Sequence, residues 1–241
     1  MFRGLLDGRL DPMSSHIGLI EVPPQRATEA FLQWAAPLKQ SRGVELTTEA
    51  VRGDIEGVLR RLLPLTSGGA RRYVFVPTAS TWTAYFDNGH LGTDVFPVIS
   101  LFAQQLQCRG MHVVAVQDTM KRRTAGVEKR YGAMILEVYG PHQTEWLNFI
   151  RAIVAMNDGG RWTFDEVGQP FPFEEVDRYA SPRIRDRFTF DMLERYVREL
   201  GLFPFEERFY AASAENPAIL IEKHGPILPG AREFMLAGDP E

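Results

Sequence analysis

The hydrophobic pattern switches repeatedly between a period near 3.6 and a period of two, and each switch marks an element. His16 to Val22 (HIGLIEV) is a short apolar run closed by Pro23 and Pro24, which predicts a first strand, since proline lacks the N–H that pairing needs. Ala27, Ala30, Phe31, Trp34, Ala35 and Leu38 then recur at helical spacing and predict a helix that Pro37 ends. Val51, Ile55, Val58, Leu59, Leu62 and Leu63 predict a second helix, with Thr47 and Thr48 as cap candidates and Pro64 as its stop. After Ser67-Gly68-Gly69 the period falls to two. Tyr73, Phe75 and Pro77, then Trp82, Ala84 and Phe86, alternate with their neighbours, and Thr78-Ala79-Ser80 between them predicts a hairpin.

Asn88-Gly89 is a turn signal, and Thr93 is the expected cap of a helix carrying Val95, Val98, Ile99, Phe102, Ala103 and Leu106 on one stripe. Met111 to Val116 and Ala133 to Val138 read as neighbouring antiparallel strands joined by the charged stretch Lys121 to Arg130. Trp146 to Met156 fits both periods. Its second half is read as a strand because Asn157-Asp158-Gly159-Gly160 is a hairpin signal, after which Trp162 and Phe164 alternate with polar residues. Phe190, Leu193, Tyr196, Val197 and Leu200 form a last helix between Thr189 and Gly201, followed by a strand at Ala218 to Glu222. The Gly/Pro-rich tail, 225–241, is expected to be extended. The sum is an α+β fold: one domain over residues 1–241, with a largely antiparallel sheet and helices packed mainly on one face. Leu59, Trp82, Phe86, Ile99 and Phe102 are expected in its core.

Composition narrows the class. The 241 residues carry a net charge of −4, the wrong sign for a basic nucleic-acid binder, so no nucleic-acid partner is expected. The single cysteine, Cys108, fits a reducing compartment. Asp7, Arg9 and Asp11 interrupt any signal-peptide core, and the longest uncharged stretch, Val95 to Cys108, falls short of the ~20 residues that span a bilayer. A cytoplasmic protein without a membrane partner is the expectation.

Neither a phosphate-cradling glycine loop, nor an H-E-x-x-H pair, nor a nucleophile elbow, nor a C-x-x-C pair occurs in the sequence, and no cofactor is expected. The histidines at 16, 90, 112, 142 and 224 lack helical ligand spacing, so no metal is expected either. Asp87, His90 and Asp94 form the tightest polar grouping, at a strand-to-helix connection where a carboxylate and an imidazole could do acid-base work in a small enzyme. Ordinary turn and cap chemistry explains the same residues. Lys121, Arg122, Arg123, Lys129 and Arg130 read as solvated hairpin residues that protect a sheet edge. From Phe164 to Tyr179, carboxylates surround apolar anchors in a proline-rich stretch expected at the surface. Asp165, Glu166, Phe171, Phe173, Glu174, Glu175 and Asp177 are therefore the expected contacts for a basic protein partner, and reversing the charges of Glu174 and Glu175 is expected to spare folding.

W-T-A-Y-F-D-N-G (Trp82 to Gly89), N-D-G-G-R-W-T-F (Asn157 to Phe164) and P-F-P-F-E (Pro170 to Glu174) loosely resemble uncharacterised bacterial immunity proteins of polymorphic toxin systems. The resemblance implies a soluble cytoplasmic protein that binds and silences a toxin, often a nuclease, and it transfers no catalytic residues.

Overall fold

β1 (His16–Ile20) sits at the middle of the sheet, antiparallel to β5 (Thr83–Asp87) on one side and to β6 (Gly110–Val116) on the other. The structure, a computed structural model, describes residues 3–120 and 129–236, without the side chains of 38–42. β5 turns back into β4 (Arg72–Pro77), which pairs with β10 (Ala218–His224), and β2 (Glu45–Val51) closes that edge. On the other side follow β7 (Ala133–Tyr139), β8 (Phe149–Asp158) and β9 (Arg161–Gly168). The order is β2-β10-β4-β5-β1-β6-β7-β8-β9. The β4–β5 and β8–β9 hairpins and the β6–β7 pair lie where the sequence places them.

Helices cover both faces, not mainly one. α1 (Pro24–Arg42) and α3 (Phe96–Gln105) pack Phe31, Ile99 and Phe102 onto Ile20, Phe75 and Tyr85. α2 (Ile55–Arg60) and α4 (Phe190–Glu199) pack Val58, Leu59 and Leu193 over Leu19, Val74 and Phe86 on the opposite face. The reason is visible in the central strands: β5 is buried at every position, which a strand covered on one face alone would not be. Leu59, Trp82, Phe86, Ile99 and Phe102 are all buried.

Four local expectations change. Thr47 and Thr48 cap nothing, because β-branched residues here extend edge strand β2 against β10; Asp54 caps α2 by accepting the Gly57 N–H at 2.7 Å. Pro37 lies inside α1, which runs on to Arg42. α3 begins at Phe96, and the Thr93 hydroxyl accepts the Asp87 N–H at 3.3 Å instead of capping it. The tail returns as β11 (Glu233–Phe234), which pairs with β3 (Leu65–Thr66). Residues 121–128 of the basic connection, read in the sequence as protecting a sheet edge, lie outside the described residues; the strands they connect, β6 and β7, are interior. Among the described residues, no helix is long and apolar enough to cross a membrane.

The α1/α3 layer stops short of β8 and β9. Beyond the Tyr139–Phe149 pair, which meets Phe96 of α3, no described helix covers the face of β7–β9 on that side. Ile135, Val154 and Val167 are half-buried there, Met156 is 36% exposed, and Thr163 and Asp165 are exposed.

Candidate functional site

The inward positions of β8 are Arg151, Ile153 and Ala155, so the chain places a guanidinium where an aliphatic side chain belongs. Arg151 is completely buried on the α4 side. Its Nε donates to Glu174 Oε1 at 2.9 Å and its Nη2 to Glu174 Oε2 at 2.6 Å, while Nη1 donates to the carbonyls of Val167 and Gly168 at 3.2 and 2.9 Å. Nη2 also bonds Glu166. Burial disfavours the charge on Arg151, but the bonds from Glu174 and Glu166 outweigh it and hold the guanidinium pKa above its ordinary value. The Tyr179 hydroxyl donates to Glu174 Oε2 at 2.8 Å, and the Tyr196 hydroxyl accepts the Glu175 N–H at 2.6 Å. Burial, reinforced by Tyr196 and Glu174, raises the Tyr179 pKa.

This network redistributes the acidic-aromatic segment. Pro170 and Pro172 are exposed as expected, but Glu174 is a buried ion-pair partner and cannot be a rim carboxylate. Glu166 shares Arg151, and Glu175 pairs with Arg195. Phe171 and Phe173 stack with centroids 5.2 Å apart and lean on the core. Asp165 and Asp177 are exposed and form no salt bridge among the described residues. A buried arginine needs a buried carboxylate, and Arg151 in an otherwise apolar strand was the signal that one of these acids is turned inward.

Asp87, His90 and Asp94 are close in sequence yet do separate work. Asp87 is buried; its Oδ1 accepts the Gly89 N–H at 2.8 Å and its Oδ2 the Asp94 N–H at 2.9 Å. Burial lifts its carboxyl to about 6, with the Gly89 and Asp94 N–H groups pulling the other way. The His90 ring instead stacks on Phe234 at 5.4 Å, and Asp94 is exposed. The structure therefore gives Asp87 the turn-fixing role and does not bring His90 to it.

The sequence reading missed a polar group on the α3 side of β1, β6 and β7. His112 Nδ1 lies 2.9 Å from Glu137 Oε2, its partner in strand register, and the Tyr139 hydroxyl donates to the same oxygen at 2.5 Å. The His16 ring is 5.9 Å from that of His112. Burial, then the charges of His112 and Arg130, push the His16 pKa down to about 3. His112 Nε2 is buried without a hydrogen-bond partner. Alternation placed His112 and Glu137 on single faces of two neighbouring strands, but only the register joins them. Among the described residues, no group of three or more His, Cys, Asp or Glu side chains could hold a metal ion. Cys108 is half-buried, and burial raises its thiol to about 11, as expected of a packed thiol.

Comparison with protein-family models, with curated proteins and with solved structures finds no match for this chain.

Proposed function

We propose that the chain is a protein-binding module of the immunity type, one that neutralises a toxin in the bacterial cytoplasm by direct binding, and that it docks its partner on the open face of β7–β9. One observation carries the reading: a sheet whose α4 side carries the larger apolar core presents Ile135, Val154, Met156 and Val167 on its other side with no described helix over them. Grouped apolar side chains on a pre-formed surface are what a protein partner buries at low entropic cost. At the start of β8 the surface continues into Phe96, Trp146, Leu147 and Ile150, which are 41, 62, 52 and 39% exposed. Exposed Asp165 stands on this face opposite Val154 and supplies a carboxylate to steer a basic partner. The acidic-aromatic segment contributes the anchoring of β9 rather than a row of rim carboxylates.

A growth-arresting toxin domain, sought among the products of the genes beside this one and co-expressed with the chain, tests the proposal. The chain should restore growth and co-elute with that domain, and Val154→Lys with Met156→Lys should abolish both while the thermal midpoint stays unchanged. Failure to restore growth overturns the immunity reading. Neutralisation undiminished by the double substitution overturns the surface.

A further inference from the structure

Where β6, β7 and the β8–β9 hairpin end, the core on the α4 side opens into a cavity of about 500 Å3, within the size range of ligand sites. Val116, Met134, Phe188 and Phe190 are its buried apolar lining, half-buried Trp162 and exposed Tyr131 add two rings, and Asp118 lines it as well. Among the described residues, neutral donors hold the Asp118 carboxylate: the Met120 N–H reaches Oδ1 at 3.2 Å and Asn157 Nδ2 reaches Oδ2 at 2.7 Å. No salt bridge reaches it among the described residues. Arg185 and Asp186 also line the cavity; Arg183 and Arg185 approach Asp186 at 3.7 and 3.8 Å, and Lys129 Nζ donates to the Thr119 carbonyl at 3.5 Å.

Gly132 brings ring and carboxylate together. A Cβ on it would lie 2.8 Å from Asp118 Cβ and 3.0 Å from Trp162 Cη2, so both side chains occupy space that only glycine leaves. A carboxylate held by two hydrogen bonds and reached by no salt bridge among the described residues, beside an indole and above an apolar floor, is complementary to a cation on a methylene stem. A planar guanidinium can offer the carboxylate a two-pronged edge while its face stacks on the ring, whereas an ammonium has neither fork nor plane.

We propose that this cavity receives an arginine side chain of the partner protein. The proposal rests on the reading of the chain as a protein-binding module, and it adds a second contact, of different chemistry, to the open sheet face.

The probe is the peptide acetyl-Gly-Arg-Gly-amide, with its citrulline twin as a neutral control of the same shape, read through the Trp162 indole N–H resonance of the full chain. The arginine peptide should shift that resonance saturably. The citrulline peptide, and the arginine peptide on Asp118→Asn, should bind at least about tenfold more weakly, as expected for loss of a charged hydrogen bond. No shift at Trp162, equal binding of the two peptides, or undiminished binding to an Asp118→Asn chain with an unchanged thermal midpoint each overturns the site. The citrulline comparison needs no variant, so a poorly folding substitution leaves the test intact. Met156→Lys should leave peptide binding unchanged. A chain that binds the peptide but fails to neutralise the toxin-like domain thus keeps this cavity as an arginine site and loses only the immunity reading.

Discussion

The guanidinium of Arg151 and the carboxylate of Glu174 face each other in the core through Nε···Oε1 at 2.9 Å and Nη2···Oε2 at 2.6 Å, with both side chains fully buried. They tie β8 to the segment leading into α4, and Glu174 Oε1 also accepts the Phe171 N–H at 2.9 Å. Glu174→Gln should leave a buried cation short of its main partner and cost about 3 kcal/mol in urea denaturation. Arg151→Met combined with Glu174→Leu should recover part of that loss, because two apolar side chains leave no charge unmatched. Charge reversal at exposed Glu175 should cost under about 1 kcal/mol. Equal losses at 174 and 175 would contradict this assignment.

Stability should depend on His16 and Asp87 with opposite signs. His16 falls from 6.5 in the unfolded chain to about 3 in the folded one, so its contribution is complete above 6.5 and is lost as pH falls toward 3. Asp87 rises from 3.8 to about 6, so its contribution is complete below 3.8 and is lost as pH rises through 6. His112, Glu137 and Arg130 also face this region, so the comparison is made within variants. His16→Phe should flatten the decline of folding free energy between about pH 6 and 4 by up to about 1.4 kcal/mol per pH unit, whereas Asp87→Asn should steepen it. Denaturant titrations across this range check both slopes.

Phe102 is wholly buried between α1 and α3, 6.4 Å from the ring of Phe31 and 6.3 Å from that of Trp34. Phe102→Ala should cost roughly 3 to 5 kcal/mol. A thermal midpoint equal to that of the unsubstituted chain would mean α3 presents a different face.

Gly18 of β1 leaves no room for a side chain beneath α3. A Cβ there would lie 2.9 Å from Ile99 Cγ1 and 3.1 Å from both Tyr85 Cδ1 and Val95 Cγ1. Gly18→Ala should therefore destabilise by about 1 to 3 kcal/mol although alanine suits a strand better than glycine. Gly159→Ala, at a hairpin position with φ 58° and no atom within 4 Å of the added Cβ, separates backbone strain from crowding. Its cost should be the smaller of the two, near 1 kcal/mol.

Local pattern determined most of the elements. Period-two alternation identified β4, β5 and β9, runs rich in β-branched and long apolar residues identified β6 and β7, and the Asn157-Asp158-Gly159-Gly160 signal correctly favoured a strand over a helix for β8, because composition, hairpin chemistry and alternation are properties of neighbouring residues. Thr189 caps α4 by accepting the Met192 N–H at 3.4 Å, another interaction three residues long. Tertiary structure decided what lies across strands. β2 became an edge strand because β10, over 160 residues later, offers it a partner. Helices took both faces because the central strands are apolar on both. Glu174 turned inward because Arg151 needed a counter-charge, and His112 met Glu137 because a register joins two strands whose separate faces alone were legible. Burial and charge pairing are set by residues far apart in the chain, so a residue's type announced its chemistry, and only the fold chose its partner.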